Sequence, residues 1–207
     1  MVPARPGDRV LESGSGAGAT LLCLTARVPG VETTGIEMNE TLAALARQNA
    51  LANGWTSMRF IVGDVANARS LGAFDHACAN PPYHPASGTR SSDVERDAAK
   101  RSSEELLAIW ATALGRHLRP RGTLTFILPA GVLPEAIAAF AEGGCRPTAL
   151  VPLWPKAGRP AKLILLQGVK DGRSPFQVRA GLVLHSADGG YTPEAEAVLR
   201  DGLALAA

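Results

Sequence analysis

Short apolar runs alternate with helix-length segments along most of the chain, starting near residue 9. Residues 9–12 (Arg-Val-Leu-Glu) read as a first strand, followed by a glycine-rich turn and a helix through Leu21, Leu22, Leu24 and Ala26. Residues 32–37 form the second strand, and a helix from about Glu40 carries Leu42, Leu45, Ala46 and Ala50 on one face until Asn53-Gly54 ends it. A third strand covers 58–62, and a fourth, weak in β-propensity, covers 75–79. Asn80-Pro81-Pro82-Tyr83 stops that fourth strand, because consecutive prolines can continue neither a helix nor a ladder. A helix over 104–117, a strand over 123–128 and a helix over 134–142 follow. The last two strands, 148–153 and 162–167, are separated by eight residues, too few for a parallel crossover, so they should pair antiparallel. The sum is seven strands in a mostly parallel α/β sheet closed by a C-terminal antiparallel hairpin, with helices on both faces.

A length of 207 residues supports one domain, 1–207, with a core that needs no disulfide or metal. No apolar run reaches the span of a membrane, and residues 1–8 lack the apolar centre of a signal peptide. A cytoplasmic protein is therefore expected. Cys23, Cys78 and Cys145 lie far apart and read as small buried hydrophobes in a reducing compartment. The four histidines show no ligand spacing, so no metal and no nucleophilic triad are expected. The formal net charge of +2 hides a concentration of positive charge: residues 146–179 carry seven basic groups and one acidic group. That stretch suits a polyanionic partner such as nucleic acid, although a solvated basic edge would have the same composition.

Two constellations carry candidate chemistry. Glu12-Ser13-Gly14-Ser15-Gly16-Ala17-Gly18 follows the first strand, where glycines let the backbone approach a nucleotide-like ligand and the next helix presents its N-terminus. Gly14, Gly16 and Ala19 also satisfy the loose dinucleotide fingerprint, so this loop alone does not choose between cofactors. Glu37 ends the second strand, where its carboxylate can accept both hydroxyls of a ribose, and Met38 follows it. Asp64, with Val65 beside it, ends the third strand and can accept from an adenine amino group; an N-capping role for this aspartate is nearly as good. The second constellation is Asn80-Pro81-Pro82-Tyr83. The Asn80 side-chain oxygen and the Pro81 carbonyl can each accept one N–H of an exocyclic amine, freeing its lone pair, while Tyr83 offers a face for a base. A dehydrogenase has no use for that group.

On these residues the chain resembles the class I S-adenosylmethionine-dependent amino-methyltransferases of the methyltransferase small-domain superfamily, and among them the bacterial tRNA(Val) (adenine-N6)-methyltransferases. The closer likeness rests on Lys156-Ala157-Gly158-Arg159-Pro160-Ala161-Lys162 and on a tail from Gly181 to His185 and from Asp188 to Glu194. The resemblance implies a Rossmann-like methyltransferase fold and S-adenosylmethionine held by Glu12, Gly14, Gly16, Gly18, Glu37, Met38, Asp64, Val65 and Asn80. It implies amine recognition by Asn80, Pro81, Pro82 and Tyr83, a tRNA substrate contacted by Lys156, Arg159 and Lys162, and no membrane partner. The family's further N-terminal segment is expected to be missing, since eight residues precede Arg9. The Arg- and Ser-rich stretch 85–103 is compatible with the substrate loop of that family. Methylation of a glutamine amide on a protein, or cofactor or RNA binding without catalysis, would suit related residues.

Overall fold

The structure, a computed structural model, describes residues 1–69, 71–82 and 93–205, the side chains of 93–103 excepted. The chain opens with β1 (Arg9–Ser13), α1 (Ala19–Arg27), β2 (Glu32–Glu37), α2 (Glu40–Ala52) and β3 (Arg59–Val62). There follow β4 (Phe74–Ala79), α3 (Asp93–His117), β5 (Leu118–Pro129), a short 3-10 turn at Ala130–Val132 and α4 (Leu133–Glu142). The last elements are β6 (Cys145–Lys156), β7 (Leu163–Lys170), β8 (Gln177–Val178), β9 (Leu182–His185) and α5 (Pro193–Leu199).

One sheet takes the order β3-β2-β1-β4-β5-β7-β6, with β8 and β9 end to end along the free side of β6. The first five of these strands are parallel, β7 runs antiparallel to both neighbours, and β8 and β9 run parallel to β6. Alternate residues of the central strands face opposite helical layers, as the two-residue period of a strand requires. Leu11 and Ala77 pack with Leu107, Ala111 and Leu114 of α3 and with Ala139 and Phe140 of α4. Val10 and Cys78 pack on the other face with Leu21 and Leu24 of α1 and Ala46 and Ala50 of α2.

β4 forms although its residues are poor strand formers, because it lies between β1 and β5 and its polar groups are paired. Asp75 accepts the Arg9 backbone N–H at 2.8 Å and an Arg119 N–H at 2.7 Å. The two ring nitrogens of His76 meet Thr123 Oγ1 at 2.8 Å and Asp8 Oδ2 at 3.1 Å.

Several expectations change. All seven expected strands are present, but among the described residues nine strands form, and the hairpin β6–β7 is followed by β8, β9 and α5 instead of ending the sheet. β6, expected over 148–153, is longer, Cys145–Lys156, and runs through Pro147, Pro152 and Pro155. Pro152 is tolerated because it falls where the outer ladder passes from β8, paired at Leu150, to β9, paired at Leu153. In α2 the buried face is Ala43, Ala46 and Ala50; Leu42 and Leu45 point outward, because three small residues at helical spacing let α2 sit close on the sheet. Cys78 and Cys145 are buried, whereas Cys23 on α1 is exposed. Among the described residues no helix is long and apolar enough to cross a membrane.

Candidate active site

The strand order reverses at β1, so the loops leaving β1 and β4 diverge and open a cleft at the carboxyl edge of the sheet, where open α/β sheets bind ligands. The cleft has a volume of about 290 Å³ and is lined by Ser13 and Gly14 after β1, Ile36, Glu37 and Met38 after β2, Gly63, Asp64 and Val65 after β3, Asn80 and Pro82 after β4, and Trp110 of α3.

The glycine loop is strapped to the end of β2: the Gly14 and Ser15 N–H groups donate to Ile36 O at 2.9 and 3.1 Å. Gly14 has φ +65°, and a Cβ there would lie 2.8 Å from the Trp110 ring, so both the turn and the indole require glycine. Glu37 braces the same loop. One of its oxygens accepts the Gly16 N–H at 2.8 Å and the other accepts the Asn39 N–H at 2.9 Å. A carboxylate offers about four lone-pair sites, so roughly two stay open toward the cleft. Gly18, at φ +88°, caps α1 and sits under the loop, where a Cβ would come within 2.9 Å of Phe60 and 3.2 Å of Ala46. Its role is packing; it does not line the cleft.

Asp64 lines the cleft and also closes its own turn, accepting from the Ala66 N–H at 2.9 Å and the Asn67 side-chain amide at 3.3 Å. Val65 is buried beneath it and Met38 is exposed at the rim. Asn80 is exposed, Pro81 buried and Pro82 exposed. Tyr83 and residues 85–92, with the side chains of 93–103, lie outside the described residues.

Glu12 does not reach the main cleft. It is 3% exposed and faces a second cavity of about 140 Å³, lined also by Val2, Thr20, Cys78, Asn80, Thr125 and Leu165. Burial pushes its carboxyl pKa up to about 8, opposed by a Thr20 hydrogen bond and reinforced by the Glu37 charge. Its Oε2 has no hydrogen-bond partner among the described residues. Asn80 lines both cavities. A buried, unpartnered carboxyl oxygen beside a cleft carrying two further carboxylates fits a ligand that brings positive charge and donor groups.

Lys156, Arg159 and Lys162 are exposed around the β6–β7 turn. Since Leu163 pairs with Pro129 at the end of β5, that turn lies at the same carboxyl edge as the cleft. Arg146, Lys170 and Arg173 lie at the opposite end of the β6–β7 pair, so the basic segment is divided between two ends of the sheet. Trp110 is a lining residue that the sequence did not mark as part of a site. Helical periodicity showed it as one more apolar position, and only the crossing of α3 over β1 brings its ring to Gly14.

Comparison with known proteins settles the class. The profile of the methyltransferase small domain matches residues 1–128. The chain belongs to that family. It is an S-adenosylmethionine-dependent methyltransferase. The methyltransferase is 29% identical over 196 residues to the tRNA1(Val) (adenine(37)-N6)-methyltransferase of Aeromonas hydrophila, covering 92% of this chain and 80% of that one. A release factor glutamine methyltransferase of Deinococcus radiodurans is 36% identical over 87 residues, 42% of this chain and 31% of that protein. In structure, a predicted O-methyltransferase from Agrobacterium tumefaciens, protein Atu636, superposes with a TM-score of 0.76 at 22% identity, covering 98% and 92% of the two chains. That likeness establishes the Rossmann-like methyltransferase fold.

Proposed function

We propose that this methyltransferase, acting as one domain over residues 1–207 and in the cytoplasm, transfers a methyl group to the exocyclic amine of an adenine in tRNA. The observation that carries this reading is Asn80-Pro81-Pro82 at the end of β4, where Asn80 borders both cavities. The tRNA-modifying relative, matched over 92% of this chain, supports it.

S-adenosylmethionine, when bound, supplies an electrophilic methyl group. Glu37 would take the ribose hydroxyls with its two open lone pairs, while Gly14, Met38, Asp64 and Val65 would enclose the adenosine and Gly16 would keep Glu37 in place. Glu12 faces the second cavity, where a cationic amino group would satisfy Oε2. The lone pair of an adenine amine is delocalised into its ring. The Asn80 amide oxygen and the Pro81 carbonyl would each accept one of its N–H groups, favouring a pyramidal nitrogen whose lone pair is available. Pro81 is buried, which holds that carbonyl in place. Interactions that strengthen as the nitrogen pyramidalises raise turnover more than binding. Tyr83 would stack on the base. Lys156, Arg159 and Lys162 would meet phosphates.

Incubating the protein with unmodified tRNA and a labelled methyl donor, then digesting the tRNA to nucleosides, should show N6-methyladenosine. Label in another nucleoside, or none in tRNA, would overturn the reading. The partial match to a glutamine methyltransferase favours one rival, an amide nitrogen on a protein loop. Label in protein as methylglutamine, with none in tRNA, would establish that rival.

A further inference from the structure

The carboxyl edge continues past the β6–β7 turn to a feature that the proposed reaction does not use. β9 runs parallel to β6 with Lys156 opposite His185, so β9 also ends at this edge. There the His185 and Tyr191 rings stack, with centroids 5.0 Å apart and planes at 18°, across an isolated bridge between the two residues. Tyr191 remains 40% exposed. His185 Nδ1 is buried without a hydrogen-bond partner among the described residues.

The loop between the rings is fixed in advance. Ser186 N–H donates to Gly190 O at 3.0 Å, the Asp188 carboxylate accepts from the Ser186 hydroxyl and the Gly190 N–H, and Thr192 Oγ1 donates to Val183 O at 2.7 Å. Lys156 Nζ donates to Ala187 O at 3.1 Å, which places an ammonium beside the stack. Folding of the tail does not call for this tyrosine. α5 is seated by Ala195 against Leu153 and Leu182, with Leu184 and Leu205 around them, and Tyr191 is outside that cluster.

From β4 the edge passes β5, β7, β6 and β9, four strand spacings or about 19 Å. Along it stand Asn80, Lys162, Arg159 and Lys156, and then the aromatic pair. Cations that follow a phosphate backbone together with a ring on which a base stacks are how proteins hold single-stranded nucleic acid. We propose that Tyr191, backed by His185, is a stacking platform for an unpaired RNA base lying beyond the target adenine, with Lys156, Arg159 and Lys162 on the intervening phosphates. This rests on tRNA being the substrate, and it adds a contact surface in the tail remote from the reacting amine.

The test measures binding of an unmodified anticodon stem-loop RNA carrying 2-aminopurine at successive loop positions. Tyr191→Ala and Tyr191→Leu should each weaken binding by about 5- to 100-fold and abolish the quenching of one 2-aminopurine. Tyr191→Phe should restore both. The slope of log affinity against log salt should stay at the wild-type value in all three, whereas Lys156→Ala should lower it by about 0.7–0.9. Leucine keeps apolar bulk against His185 without an aromatic face, so binding by Tyr191→Leu equal to that of Tyr191→Phe would assign Tyr191 a packing role and overturn the platform. Wild-type protein that methylates tRNA, with Tyr191→Ala binding the stem-loop equally well, would overturn the platform alone. Wild-type protein that neither binds nor methylates tRNA would overturn the substrate reading and the platform with it.

Discussion

Replacing Glu12 by glutamine should flatten the dependence of stability on pH between about pH 5 and 9. In the folded protein the Glu12 carboxyl, buried at 3% exposure, has a pKa of about 8 against an ordinary 4.5. The folded state therefore keeps a proton that the unfolded chain has released, and stability must fall as pH rises through that window. The limiting slope is about 1.4 kcal/mol per pH unit, which gives an upper bound of about 5 kcal/mol across the window. Hydration of the adjoining cavity on ionisation would relieve part of it, so a pH-dependent loss of about 1–3 kcal/mol is expected. The glutamine amide carries its own burial cost of about 1–3 kcal/mol, but that cost does not titrate. The diagnostic is thus the difference between wild type and Glu12→Gln as a function of pH, from urea unfolding at closely spaced pH values. It should move in favour of the variant as pH rises from 5 to 9. A difference that stays constant over the range would refute the assignment of a buried, protonated carboxyl.

Four further outcomes follow from the same geometry. Glu37→Ala removes the acceptor for the ribose and the brace on Gly16, so calorimetry should show S-adenosylmethionine affinity falling at least tenfold, two charge-assisted bonds being worth about 1.5–3 kcal/mol each; unchanged affinity would place the cofactor elsewhere. Gly18→Ala must adopt φ +88° and press on Phe60 and Ala46, a loss of about 2–4 kcal/mol in denaturant unfolding. Asn80→Ala should depress kcat for methylation of tRNA far more than it weakens cofactor binding, and near-normal turnover would remove the amine-acceptor role. Neutralising Lys156, Arg159 and Lys162 together should lower tRNA affinity and the salt slope, whereas a slope equal to the parent's would leave these residues a solvated edge.

The parallel half of the sheet was legible because its strands end in turn residues at the carboxyl end and most are short, although β5, expected over 123–128, extends over Leu118–Pro129. The sites at those ends were legible for the same reason: Glu37 is the last residue of β2, and Gly14, Asp64 and Asn80 each stand one or two residues beyond a strand. The antiparallel half was read too short. β6, expected over 148–153, extends past Pro147 and Pro155 to Cys145–Lys156, and β8 and β9 have two and four residues, each meaningful only against a partner already in place. Side-chain direction on helices was the other gap. Periodicity placed Leu42, Leu45, Ala46 and Ala50 on the inward face of α2, whereas the buried residues are Ala43, Ala46 and Ala50, with Ala46 and Ala50 packed in the cluster of Phe60. Trp110 escaped notice since its meaning lies in the distance from α3 to the β1 loop, a tertiary quantity.

The weak strand propensity of β4 is best understood from what crosses it. Ala77 and Ala79 face the layer that contains Leu107, Ala111 and Leu114, and their small side chains let α3 lie close over the centre of the sheet. That closeness carries Trp110 to Gly14 and closes the α3 side of the cleft. Valine or isoleucine at 77 or 79 would improve the strand by local preference, by about 1 kcal/mol at most, yet would push α3 outward and withdraw the indole. The flanking strands and the pairing of Asp75 and His76 offset the lost propensity at the far end, away from the cleft. β4 thus gives up local strand preference for the close approach of α3, and it ends on Asn80, the residue shared by both cavities.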